Sequence, residues 1–125
     1  DFRTGTWQGY EGSDVVATID IGKVEQINRL AVNFLSDQNF WIFHPKEVFF
    51  YGSADGENFD LIYSEKIEIT ELNNSEIKTY NIDNYKTPYR YIKVIAKKIG
   101  IVPEWHKGFE DNGLGWIFID EIQIN

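Results

Sequence analysis

The sequence contains no cysteine and no methionine among its 125 residues, and only two histidines. Without cysteine the chain has no disulfide, no thiolate zinc site and no cysteine nucleophile. Two histidines alone also disfavour a zinc site. The absence of disulfides leaves the cellular compartment open, because an exported domain with a good core can do without them.

The chain also lacks a cluster of basic residues. Its formal net charge is -8 and its pI is about 4.7. Proteins that track nucleic-acid phosphates carry a basic patch that releases counterions, and anionic lipid likewise attracts basic surfaces. No apolar run approaches the roughly 20 residues that a membrane helix needs. The sequence therefore predicts no nucleic-acid partner and no membrane insertion.

The beginning of the chain lacks two further features. It starts with Asp1-Phe2-Arg3, without an initiator Met, and no signal-peptide pattern follows. We interpret residues 1–125 as one domain with one core, and as a piece of a longer protein.

Short alternating segments, rich in isoleucine and in aromatic residues, fill most of the chain. Such residues favour pleated, half-buried strands, and Asp55-Gly56 is typical of a tight turn. The predicted strands are 15–21, 26–35, 47–51, 59–64, 77–82, 89–96 and 116–124. Segment 67–72 is left as a strand or one helical turn, and 1–14 and 97–115 are predicted loops. Seven or eight short strands between regular turns predict an all-β fold, a sandwich or a barrel.

Catalytic motifs are not found. His44 and His106 lie outside any nucleophile-elbow pattern, and the chain has no glycine-rich phosphate loop. The many acidic residues single out no glycosidase pair. A site assembled from distant loops stays open, but the sequence favours a non-catalytic domain.

An acidic pair, Asp120-Glu121, interrupts the last predicted strand. One of the two should point into the apolar side, where a carboxylate must be paired, hydrogen-bonded or bound to a cation. Calcium prefers such oxygen ligands. The alternatives are an edge strand, or an arginine partner such as Arg90 or Arg3.

Several large aromatic residues lie in or beside the predicted loops, where exposure without a purpose is costly. They are Trp7, Tyr10, Phe40, Trp41, Trp105 and Phe109. Flat rings can stack on sugar faces, while neighbouring Asn39, His106 and Asn112 can bond hydroxyl groups. The alternative for Trp7 and Trp41 is to plug the ends of the sandwich, and Trp116 is predicted to belong to the core. The candidate carbohydrate-binding residues are Asn39, Trp41, Trp105, His106 and Trp7.

Three segments carry a family resemblance: GTWQGYEGSDVVATIDIGK (5–23), NFWIFHPKEVFFYGSADGENF (39–59) and PEWHKGFEDNGLGWIFIDEIQI (103–124). In this order they resemble the coagulation factor V/VIII C-type, or discoidin-like, domain. More closely, they resemble the family 32 carbohydrate-binding modules at the C-terminus of bacterial chitobiases and β-hexosaminidases. The resemblance implies an antiparallel eight-stranded jelly-roll sandwich of the galactose-binding-domain type. It also implies a non-catalytic role and sugar binding by loops at one end.

The resemblance further implies a structural calcium ion, with Glu121 as its last-strand ligand and Asp1 as a first-loop ligand. The family's first strand and Asp-Gly turn would precede Asp1 and are missing from this sequence. The expected partners are a glycan of the GlcNAc or galactose type and an attached catalytic domain. We expect a monomeric module of an exported bacterial enzyme, placed in the periplasm, on the cell surface or outside the cell.

The sequence leaves two functions open. The first is a sugar-binding module that tethers a glycoside hydrolase to its glycan. The second is a structural or protein-docking domain of the parent enzyme. A concave site that brings the aromatic residues together favours the first, and a flat aromatic patch favours the second.

Overall fold

Two antiparallel β-sheets make up the computed structural model, which describes residues 8–83 and 88–124. In chain order the strands are β1 (Gln8–Glu11), β2 (Val15–Glu25), β3 (Leu30–Ser36), β4 (Glu47–Ser53), β5 (Asp60–Lys66), β6 (Glu76–Ile82), β7 (Tyr89–Lys97), β8 (Trp116–Ile119) and β9 (Gln123–Ile124). Two short 3₁₀ turns, Gln38–Phe40 and Phe109–Asp111, lie in the loops. The first sheet has the order β1-β8-β3-β6, with β9 also pairing with β3, and the second has the order β2-β7-β4-β5. This arrangement is the predicted all-β sandwich.

The core lies between the two sheets and is formed by alternate residues of the strands. On β3 the side chains of Leu30, Val32 and Phe34 are 1%, 1% and 0% exposed. On β7 Ile92 and Val94 are 0% and 1% exposed. A two-residue period places every second side chain on the same face, and burial of each such side chain stabilises the fold by roughly 2 kcal/mol. The alternation that predicts these two strands is thus seen in their burial.

Three predicted elements differ in the structure. Residues 8–11, predicted as loop, form strand β1 because they pair with β8, and Gly9 leaves room for the ring of Phe118 against it. Segment 67–72 is neither a strand nor a helical turn. The single predicted strand 116–124 is divided, since residues 120–122 are not in a strand. The described residues thus contain nine strands rather than eight.

The prediction that Trp116 belongs to the core is wrong. Ile117 and Ile119 point inward and are 2% and 5% exposed. Strand alternation therefore turns Trp116 and Phe118 to the outer face of the sheet, where both are half-buried and their ring centroids are 6.0 Å apart.

No helix in the described ranges is both long enough and apolar enough to span a bilayer.

Candidate functional site: a cleft between three loops

Two long connections meet at one end of the sandwich. Loop 37–46 joins β3 to β4, and loop 98–115 joins β7 to β8. The backbone N–H of Trp116 donates to the carbonyl of Trp41 at 2.8 Å, and the N–H of Phe43 donates to the carbonyl of Trp116 at 2.9 Å. These bonds fix the two loops to each other at the start of β8.

His106 lies at the centre of this contact and is 8% exposed. Its Nδ1 accepts a hydrogen bond from the N–H of Gly108 at 3.0 Å. The ring proton is therefore on Nε2, which donates to the carbonyl of Gln38 at 2.6 Å. Both ring nitrogens bond the protein's own backbone, so His106 in this arrangement joins the loops.

Trp41 packs behind His106. Its backbone adopts a left-handed conformation with φ of 66°, and its half-buried ring meets His106 edge-on at a centroid distance of 5.4 Å. The ring also lies against Gly108 and Gly113 of the long loop. Trp41 does not line the cleft, and this placement matches the alternative in which it plugs the end of the sandwich.

A concave cleft of about 360 Å³ opens beside these loops. Its lining residues are Gln38, Asn39, Glu71, Leu72, Asn73, Trp105, His106 and Lys107. Three of the predicted sugar-binding residues therefore meet in one cleft: Asn39, Trp105 and His106. Whether these residues contact a sugar stays a prediction.

Trp105 supplies the aromatic wall of the cleft. It is 39% exposed, while Phe43 and His106 support its ring from behind at centroid distances of 6.3 and 6.4 Å. The rim carries two amides, a carboxylate and an ammonium group, from Asn39, Asn73, Glu71 and Lys107. An aromatic wall with a few placed polar groups suits a small polar ligand with one apolar face.

Five lining residues were missed by the sequence analysis: Gln38, Glu71, Leu72, Asn73 and Lys107. Lys107 directly follows the predicted Trp105-His106 pair, and this proximity could have identified it. Glu71 lies in segment 67–72, and Asn73 follows it. This segment has no clear periodicity, so the sequence does not indicate where it lies in the fold.

A second cavity of about 180 Å³ adjoins the cleft and shares Gln38 and Leu72 with it. His44 lies in this cavity, and its Nε2 is 2.8 Å from Oε1 of Glu76. Burial lowers the pKa of His44, and the neighbouring Glu76 carboxylate partly opposes that effect. This ring therefore favours its neutral form.

The acidic pair follows β8 on a different part of the sandwich. Asp120 is 4% exposed, as predicted for one of the two carboxylates, and its Oδ1 accepts the N–H of Glu121 at 2.6 Å. Arg90 is engaged elsewhere, because its guanidinium donates to both carboxylate oxygens of Asp20 at 2.8 and 2.9 Å. Across residues 8–83 and 88–124, no three or more His, Asp or Glu side chains are grouped to hold a metal ion.

Three residues considered in the sequence analysis, Asp1, Arg3 and Trp7, lie outside the described residues.

Comparison with solved structures supports the fold. CBM32-1 from a family 31 glycoside hydrolase of Clostridium perfringens is 19% identical and superposes with a TM-score of 0.56, over 96% of this chain and 76% of that chain. CpGH89CBM32-4 of the same organism, in complex with GlcNAc-α-1,4-galactose, is 16% identical with a TM-score of 0.51, over 88% and 65%. A chitosan-binding module from Paenibacillus sp. IK-5 is 11% identical with a TM-score of 0.54, over 93% and 74%.

The search of curated proteins gives no match. The family comparison matches residues 2–121 to the F5/8 type C domain. This match spans almost the whole sequence and agrees with the two-sheet architecture, and the chain therefore belongs to the F5/8 type C domain family.

Proposed function

We propose that this chain is a non-catalytic carbohydrate-binding module and that the cleft beside Trp105 is its sugar site. The observation that carries the proposal is the convergence of Trp105, Asn39 and His106 on one concave site of about 360 Å³. Structures of similar fold described as CBM32 modules, one of them in complex with GlcNAc-α-1,4-galactose, support the same function.

The finer part of the proposal concerns the ligand and the parent protein. We propose a GlcNAc- or galactose-containing glycan, and an exported bacterial glycoside hydrolase of the chitobiase or β-hexosaminidase type as the parent. The indole of Trp105 stacks on the apolar face of a sugar ring, while the amide of Asn39 bonds hydroxyl groups at the rim. A few such contacts give an affinity of about mM to μM. Tethering makes this weak binding effective, because it raises the concentration of glycan near the catalytic domain.

A second candidate is a docking domain of the parent enzyme. The observation in its favour is Phe40, which is 73% exposed and does not line the cleft. The test is co-purification with a separately expressed catalytic domain. Docking is favoured over sugar binding if the wild type binds no sugar and if Phe40→Ser no longer co-purifies with the catalytic domain.

The experiment for the sugar site is a titration of the chain with GlcNAc, galactose and GlcNAc-α-1,4-galactose, followed by Trp fluorescence or NMR chemical shifts. Trp105→Ala should weaken binding by about tenfold or more, as loss of a stacking surface predicts. Phe109→Ala is the matched control, because Phe109 is 40% exposed and lies in the same loop outside the cleft. Unchanged binding by Trp105→Ala, or an equal loss in Phe109→Ala, would contradict the assignment.

We also propose a structural calcium ion near Glu121. Asp120 and Glu121 supply oxygen donors of the type that calcium prefers, but two adjacent carboxylates are fewer than the usual six to eight ligands. The remaining ligands would come from the first residues of the chain, including Asp1. Calcium should raise the melting temperature of the wild type and leave that of Glu121→Gln unchanged. An equal response of both proteins would argue against the site.

A further inference from the structure

We propose that Gln38 is the positioning residue of the cleft, because it links the three loops that form its walls. These loops are 37–46, 67–75 and 98–115. The loop-linking role stands on the geometry alone, whereas its effect on affinity rests on the proposed sugar-binding function. Gln38 is 8% exposed and is the first residue of the 3₁₀ turn that carries Asn39.

The side chain of Gln38 joins this turn to segment 67–72. Its Nε2 donates to the carbonyl of Thr70 at 2.8 Å, and its Oε1 accepts the N–H of Leu72 at 2.8 Å. Both polar atoms of the side-chain amide therefore bond backbone groups of segment 67–72. Since segment 67–72 has no regular secondary structure, these two bonds hold Glu71, Leu72 and the following Asn73 at the cleft.

The backbone carbonyl of Gln38 joins the same turn to loop 98–115. It accepts the N–H of Trp41 at 3.1 Å within the turn and Nε2 of His106 at 2.6 Å from the long loop. His106 directly follows Trp105, so this bond fixes the backbone that carries the aromatic wall. One residue therefore positions the three loop segments that line the cleft.

The effect of losing the side-chain bridge follows from the two bonds that it makes to segment 67–72. Removal of the Gln38 amide leaves the carbonyl of Thr70 and the N–H of Leu72 without this partner, and these two bonds then no longer oppose movement of the segment. Thr70 is exposed and Leu72 is half-buried, so water can replace the lost bonds, and the Gln38 side chain then no longer holds segment 67–72 at the cleft. The expected result is a cleft whose Glu71–Asn73 side no longer faces Trp105 at a fixed distance.

The test uses two substitutions and two measurements. Gln38→Leu removes both side-chain bonds at similar size, whereas Gln38→Glu keeps an acceptor for Leu72 and loses the donor to Thr70. Gln26→Leu, an exposed glutamine in the loop before β3, is the control. The first measurement is amide hydrogen exchange of Leu72 in the free protein. The second is the affinity of the folded protein for GlcNAc, galactose and GlcNAc-α-1,4-galactose, with circular dichroism to verify folding.

In Gln38→Leu we expect Leu72 exchange to become about tenfold faster and sugar affinity to fall about tenfold, as loss of bonds to a buried amide predicts. Gln38→Glu should retain most of the Leu72 protection and lose affinity to a smaller extent. Gln26→Leu should match the wild type in both measurements. A purely structural role would lower the melting temperature and leave the affinity of the folded protein unchanged.

The outcomes separate this inference from the proposed function. Wild-type protection of Leu72 in Gln38→Leu overturns the inference whether or not sugar binds. Wild-type affinity in Gln38→Leu, with faster exchange, also overturns it. A wild type that binds none of the three sugars defeats the proposed function, while faster exchange in Gln38→Leu then still supports the loop-linking role.

Discussion

The indole ring of Trp41 occupies the space that a side chain at position 113 would need. A Cβ atom on Gly113 would fall inside contact distance of the ring, and one on Gly108 would lie 2.5 Å from it. Trp41 belongs to loop 37–46, and both glycines belong to loop 98–115. The ring is therefore a direct packing link between the two loops behind the cleft.

Trp41 and Phe40 are adjacent aromatic residues with opposite environments, and they provide a matched comparison. Trp41→Ala should reduce the free energy of unfolding by about 3 kcal/mol, because it leaves a cavity against Gly108 and His106. Phe40→Ala should change it by no more than about 0.5 kcal/mol, since Phe40 is 73% exposed. Urea denaturation measures both values. Equal effects of the two substitutions would contradict the packing of Trp41 against loop 98–115.

Gly113→Ala tests the same contact from the other loop. The added methyl group collides with the Trp41 ring in the wild type and should destabilise the protein by about 1–3 kcal/mol. In a Trp41→Ala background the ring is absent and only the carbonyl oxygen of Gly108 stays close, at 3.0 Å from the added Cβ atom, so the cost should be clearly smaller than in the wild type. Additive effects in this double-mutant cycle would show that Trp41 and Gly113 do not contact each other in solution.

The fold could be predicted because alternation on the long strands is strong and unbroken. Leu30, Val32 and Phe34 carry a two-residue period that only a half-buried strand explains. Strand β1 could not be predicted, because its residues, Gln-Gly-Tyr-Glu, have little strand preference and pair through contact with β8. Trp116 was misassigned since aromatic character alone does not tell which face of a strand a residue occupies.

The site was predictable only where its residues are neighbours in the sequence. Trp105 and His106 stand together in a long loop, and Asn39 lies beside an aromatic cluster, so composition indicated them. Gln38 bonds Thr70 and Leu72, which are 32 and 34 residues away. Such pairings depend on the packing of loops against each other and leave no local pattern. The role of His106 also changed, because its hydrogen bonds are directed at backbone groups.

The turn after β4 predicts a loss of stability in acid. Asp55 accepts hydrogen bonds from the N–H groups of Glu57 and Asn58, the Asn58 amide and the Ser53 hydroxyl. The bond from the Asn58 N–H, followed by the one from Glu57, lowers the pKa of Asp55 far below its usual value. A carboxyl group whose pKa is lowered by folding stabilises the protein at pH values above its unfolded-state pKa, which is about 4. That contribution disappears as the pH falls through the folded-state pKa.

Asp55→Asn should therefore be less stable than the wild type at pH 7, and the difference should shrink as the pH drops below about 4. Chemical denaturation at several pH values measures this convergence. Asp111→Asn, an exposed acid in the long loop, is the control and should track the wild type. Some acid sensitivity should persist in Asp55→Asn, because hydrogen bonds from Arg90 hold the pKa of Asp20 at about 2. A constant difference across the pH range would refute the assigned role of the Asp55 charge.

His44 predicts a second pH dependence at milder acidity. Its ring is buried, and in the described part of the chain its Nδ1 has no hydrogen-bond partner. Protonation would add a buried N–H without an acceptor, and burial accordingly lowers the pKa of His44 despite the Glu76 carboxylate at 2.8 Å. Lys78, which lines the same cavity, acts in the same direction as burial. In this pH range the unfolded chain binds more protons than the folded one, so stability should fall as the pH drops below about 6.5.

The measurement is the free energy of unfolding at pH 7.5 and pH 5 for three proteins. The wild type should lose stability on acidification, and His44→Gln should lose less, because the substituted side chain cannot take up a proton. Glu76→Gln should lose more than the wild type, since the carboxylate that favours the protonated ring is gone. This ordering separates the pH dependence of the His44 ring from that of the other acidic residues, which are the same in all three proteins. A wild type that gains stability at pH 5 would mean that the ion pair with Glu76 outweighs burial, and the assigned balance around His44 would be wrong.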